Sequence, residues 1–128
     1  MTRSRLIMLA AATLVGSACG SSTDYGSGGN PPPPPNADVL IVVGASTKTT
    51  TAFNPNPFTV AIGAGSVGVK WGNADGTTPH HVVSDNPLFD SGQLAGGATY
   101  TFTFTSTGTF TYHCSIHPNM VGTIQVTP

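Results

Sequence analysis

A chain of 128 residues carries only four basic and five acidic side chains, with four histidines and a formal net charge of −1. Two of the four cations are Arg3 and Arg5, so the remainder holds only Lys48 and Lys70 and cannot neutralise a run of phosphates. That excludes nucleic acid as a partner.

The first element in chain order is a targeting segment. Arg3 and Arg5 precede an apolar run from Leu6 to Val15, and Gly16-Ser17-Ala18 lead into Cys19. A basic start, a short apolar run and small residues form the layout of a secretory signal, expected over 1–18. The run falls short of the roughly 20 apolar residues that span a bilayer. Small residues followed by cysteine resemble a bacterial lipobox, with Gly16 where that motif usually has leucine. The resemblance implies cleavage before Cys19 and a lipid on its thiol; ordinary signal-peptidase cleavage after Ala18 is the alternative. The expectation is an exported protein, periplasmic or at the cell surface, held to the membrane by a lipid on Cys19. Without the signal, two lysines face five aspartates, a balance of −3.

Residues 19–37 follow as a tether. The stretch Gly20 to Asn36, "GSSTDYGSGGNPPPPPN", is flexible in its Gly/Ser half and extended in its five prolines. It has too little apolar surface to order itself, and stretched out it could hold a domain on the order of 50 Å from a membrane.

The folded domain is expected over 38–128, enough for one modest core. Its elements read as strands. Val39 to Val43 is a short β-branched run, and Phe58 to Ile62 follows the turn-like Asn54 to Pro57. Val67, Val69 and Trp71 alternate with Gly68 and Lys70, and His80 to Ser84 gives one more strand. Tyr100, Phe102 and Phe104 alternate with threonines in the cleanest period-two pattern of the chain. Phe110, Tyr112 and Cys114 share one face opposite Thr109, Thr111 and His113, and Ile124 and Val126 share another. No stretch carries a helical period. Seven to eight short strands separated by Gly and Asn-Asp turns indicate an all-β fold, an antiparallel β-sandwich with Trp71 and the aromatic stripe in its core.

The chemistry concentrates in "YHCSIHPNM", Tyr112 to Met120. An exported domain would normally pair its thiols, yet the domain holds only Cys114. The spacing Cys114-x2-His117-x2-Met120 lets one loop wrap one ion, and thiolate, imidazole and thioether are soft donors suited to copper. A His₂Cys site with a weak axial Met is the electron-transfer geometry for that metal, so a second histidine must come from elsewhere. His113 neighbours Cys114 on a strand and therefore points to the opposite, solvent face. His80 and His81 are adjacent, so one of them can face the site, and periodicity alone does not choose.

Pro79-His80-His81-Val82-Val83 followed by "YHCSIHPNMVG" resembles the blue-copper cupredoxins of the plastocyanin/amicyanin group. "FNPNPFTVAIGAGSVGVKWGNAD" and "FDSGQLAGGATYTFTFTSTGTFTYHC" are similar to that group's stretches before the first histidine and before the cysteine. The resemblance runs from about Val39 to Val126, and the Cys-to-Met spacing is amicyanin-like. It implies a Greek-key sandwich and one type 1 copper ion held by His80, Cys114, His117 and Met120. His81 stands where the group often has an asparagine whose side chain ties the two ligand loops together; its backbone N–H could still donate to the thiolate. The resemblance further implies a monomeric one-electron carrier with no catalytic residues, meeting redox protein partners at the exposed edge of His117 near Pro118. The competing function is copper storage or delivery to a copper oxidase. A catalytic copper enzyme fits poorly, because four ligands leave no open position and no second ligand cluster is present.

Overall fold

The computed structural model describes residues 36–128, so the expected signal peptide, Cys19 and nearly all of the tether lie outside the described residues. Nine strands form: β1 (Val39–Ile41), β2 (Phe53–Asn54), β3 (Phe58–Ala61), β4 (Val67–Asn73), β5 (His80–Ser84), β6 (Asp90–Leu94), β7 (Thr99–Phe104), β8 (Gly108–Cys114) and β9 (Val121–Thr127). A single 3-10 turn, Ala45–Thr47, is the one helical element among the described residues. The strands make a four-stranded sheet, β2-β1-β4-β7, and a five-stranded sheet, β3-β9-β8-β5-β6.

The alternating patterns explain the layering. In β4 and β7, Val67, Val69 and Trp71 stand opposite Phe104, Phe102 and Tyr100, so both strands turn their apolar residues to the same side. In the other sheet, β5 buries His80, Val82 and Ser84 and turns His81 and Val83 outward. β8 likewise buries Tyr112 and Cys114, with His113 on the outer face. The two inner faces meet on Trp71, whose ring sits 5.6 Å from Tyr112 edge-on and 5.3 Å from Phe89. Phe53 closes on Tyr112 at 4.8 Å. Burying each side chain of this size contributes about 1.5–3 kcal/mol, so this aromatic centre outweighs any surface pair.

Two features differ from the sequence expectation of a purely antiparallel sandwich with seven to eight strands. There are nine strands, because β2 and β6 also form. β2 is two residues long and buries only Phe53, and β6 is an edge strand that buries only Leu94. The sheets are also mixed: β1 pairs with β4, and β3 with β9, in parallel. The chain leaves the first sheet after β2, lays β3 in the second, and returns as β4 running in the direction of β1.

A bulge marks the edge beside the expected ligand strand. His81 stands opposite Gln93 but Val83 opposite Asp90, so β6 carries one extra residue. Gly92, at φ +62°, supplies the left-handed conformation this needs. The bulge turns Ser91 Oγ toward the Val82 amide, which donates to it at 2.9 Å.

Candidate metal centre

Cys114 ends β8 on its inward face, His80 begins β5 on its inward face, and the loop from Ser115 to Met120 supplies His117. The Nδ1 atoms of His80 and of His117 each lie 3.7 Å from Cys114 Sγ. One ligand atom from each of the three falls within 4.8 Å of the others, the one such cluster among the described residues. Met120 is fully buried in the core that contains Cys114. The loop is tight because its backbone bonds to itself: Cys114 N donates to Met120 O at 3.0 Å and Met120 N to His117 O at 2.9 Å.

The structure separates the two adjacent histidines. His80 is fully buried and faces Cys114. His81 points outward and hydrogen-bonds Asp90 through its ring, so it is not among the converging side chains. Its backbone N–H does point at Cys114 Sγ, at 3.4 Å. The Cys114 loop is tied to β5 through the backbone, since Ser115 N donates to His81 O at 3.0 Å. His113 sits on the outer face with Asp85 at 2.6 Å.

Electrostatics favour a thiolate. Burial pushes the Cys114 thiol up. Hydrogen bonds from the His80 ring, the His81 and His117 amides and the His117 ring outweigh it, and the pKa falls to about 6. For His80, burial favours the neutral ring, while Cys114 and Asp75 favour the cation and raise its pKa overall. A buried thiolate, two Nδ1 atoms aimed at it and a buried thioether residue in the same loop are a donor set that fits copper better than hard cations.

One residue of this site is absent from the sequence expectation. Asp75 reads as part of the turn Asn73-Ala74-Asp75-Gly76, yet its Oδ2 lies 2.9 Å from His80 Nε2, both side chains almost or fully buried. The available signal was its position as the only carboxylate in the loop leading to Pro79-His80.

The family model described as copper binding proteins, plastocyanin/azurin family, matches residues 40–127. Among curated proteins, none matches the chain. Of solved structures, a purple cupredoxin from Nitrosopumilus maritimus is similar at 27% identity and a TM-score of 0.64, covering 72% of this chain and 100% of that one. A point mutant of amicyanin, in its reduced Cu(I) form, is similar at 25% identity and a TM-score of 0.55, covering 72% and 83%. A Cu-containing nitrite reductase from Thermus scotoductus matches at 24% identity and a TM-score of 0.57, over 80% of this chain but only 24% of that one.

Proposed function

The chain belongs to the plastocyanin/azurin family of copper binding proteins, and from that premise we propose that it carries single electrons between redox proteins. The observation that carries this reading is the convergence of His80 Nδ1, His117 Nδ1 and Cys114 Sγ beside a buried Met120. His80, Cys114 and His117 are the residues that would hold copper, with the Met120 thioether as a fourth, weaker donor. Bound copper supplies one-electron Cu(I)/Cu(II) chemistry. The chain's own part is to hold the donors still: β5 and β8 fix two of them, and three backbone hydrogen bonds fix the loop. A site that need not rearrange between oxidation states makes electron exchange fast.

His117 is half-buried beside the exposed Pro118 and Asn119, and we place the docking of redox partners there. The small exposed surface suits the brief encounters of electron carriers. The likeness to one quarter of a nitrite reductase concerns the fold alone, and the four proposed donors leave no position for substrate. We further propose export and membrane attachment through a lipid on Cys19, with 19–37 as the spacer. Mass spectrometry of the membrane fraction tests this, since an unmodified Cys19 overturns it.

Adding Cu(II) to the purified protein tests the central reading. An intense visible thiolate-to-copper band that bleaches on reduction and returns on oxidation is expected. A colourless product overturns the carrier reading. A coloured protein that exchanges no electron with a small redox protein points instead to copper storage or delivery.

A further inference from the structure

Beneath the proposed ligands lies a polar network that none of the four ligand roles requires. Asp75 is 6% exposed, and each of its two oxygens has a partner. Oδ1 accepts from the Gly44 amide at 2.6 Å, and Oδ2 faces His80 Nε2 at 2.9 Å. The Asp75 amide in turn donates to Asn73 Oδ1 at 2.9 Å. Asn73 is completely buried, and its Nδ2 donates to the carbonyls of Thr78 and Leu94, both at 2.9 Å. The carboxylate is therefore held from two sides, by the loop after β1 and by His80, while Asn73 at the end of β4 holds the Asp75 backbone. Among the described residues no lysine comes within ion-pair distance of it.

Two consequences follow from elementary chemistry. A neutral imidazole carries one N–H, and an ionised carboxylate can only accept. With a metal taking the Nδ1 lone pair on the side of Cys114 and His117, His80 therefore keeps its one proton on Nε2, facing Asp75. A backbone carbonyl could accept that proton as well. A carboxylate also adds a negative charge one imidazole away from the metal, in a setting with little water to screen it.

We propose that Asp75 is a positioning residue that selects the ligand atom of His80 and, by its charge, biases the centre toward the oxidised metal. The proposal rests on the reading that copper occupies this site. When the centre gives up an electron to its redox partner, the proton stays on His80 Nε2 and no bond is made or broken. The added positive charge on the metal is then partly offset by Asp75, so the reduction potential sits lower than it would with a neutral acceptor.

Two measurements test this. The first is the reduction potential of copper-loaded wild type, Asp75→Asn and Asp75→Ala. Both variants are expected to shift the preference from Cu(II) toward Cu(I) by about tenfold, a rise of about 59 mV for one electron. Asp75→Ala is also expected to bind copper roughly 10- to 100-fold more weakly. Potentials equal to or below that of the wild type overturn the charge role. The second needs no copper. In metal-free Cys114→Ser, which removes the thiolate competing for a proton at Nδ1, the ring ¹⁵N shifts of His80, read on the alkaline plateau where they no longer change with pH, should place the remaining proton on Nε2. A proton on Nδ1 overturns the positioning role. Failure to take up copper at all would sink the electron-carrier reading and leave this second result standing as the test of Asp75.

Discussion

His80 and His81 are neighbours in sequence with opposite fates. One is buried against Cys114 and the other faces Asp90 on the outer surface. His81 contributes to the thiolate only through its backbone N–H, which any residue but proline would supply. His80→Ala is therefore expected to abolish the visible thiolate-to-copper band, whereas His81→Ala should keep it; titration with Cu(II) followed by absorption distinguishes them. Loss of the band in both variants would contradict the assignment. Met120 offers a second residue-level test. Leucine matches its volume, so Met120→Leu should cost under about 1.5 kcal/mol in stability. The thioether is the weakest of the four donors, and an alkyl side chain in its place removes a donor and makes the surroundings more apolar, which disfavours the more highly charged Cu(II). The band should persist while the reduction potential rises, as voltammetry would register; an unchanged potential would remove Met120 from the ligand set. The sequence could not choose between His80 and His81 by pattern, because adjacent residues on a strand differ only in face. Asp75 was invisible for another reason: its partners are 5 and 31 residues away, and a carboxylate in an Asn-Ala-Asp-Gly stretch looks like any turn.

Strand pairing brings its own constraints. Tyr112 on β8 stands opposite Gly122 on β9, and a Cβ at position 122 would sit 2.2 Å from Tyr112 Cζ. The ring is hemmed in by Phe53 and Trp71 and has nowhere to move. Gly122→Ala should therefore destabilise by about 1–3 kcal/mol or more through overpacking, measured by chemical denaturation. Tyr112 Oη is buried without a hydrogen-bond partner, so Tyr112→Phe should be close to neutral, since it removes an unsatisfied polar group. On the outer face, Asp85 lies in the loop after β5 and its carboxyl is held below the usual range. Hydrogen bonds from Thr111 and His113 lower it, against a small opposing effect of burial. A depressed carboxylate stabilises the fold above its ordinary pKa, and that contribution disappears as pH falls through the lower folded value. Asp85 is 45% exposed, so solvent screening keeps the effect below about 1 kcal/mol. Asp85→Asn should cost a little at neutral pH and progressively less as pH falls below the ordinary carboxylate range; a cost independent of pH would rule out the charge. The same elements divide by legibility. β7 could be read directly because Tyr100, Phe102 and Phe104 mark one face. β6, "DSGQL", could not, because an edge strand that buries only Leu94 needs little apolar sequence.

At the level of the whole molecule, the sandwich was readable from alternation, whereas the parallel pairs β1–β4 and β3–β9 were not. They depend on where the chain crosses between sheets, which no local pattern encodes. That crossing has a consequence for the site. The proposed ligands all belong to the five-stranded sheet and its loop, while Asp75 reaches Gly44 in the loop after β1 of the other sheet. The donors are thus held by both layers before any metal arrives. Small zinc domains, by contrast, fold only around their ion. Here the aromatic centre and the loop hydrogen bonds already specify the structure, so metal-free protein should be folded and unfold cooperatively. Copper should then add stability by mass action, about 4 kcal/mol when free metal exceeds its dissociation constant a thousandfold. At about 4–8 °C per kcal/mol for a domain of this size, the melting temperature should rise on the order of 15–30 °C. Cys114→Ser should melt near the metal-free wild type and gain little of this shift. Circular dichroism melts of both proteins, with and without copper, decide the matter: an unfolded metal-free chain would refute the preformed site, and a full shift in Cys114→Ser would place the metal elsewhere.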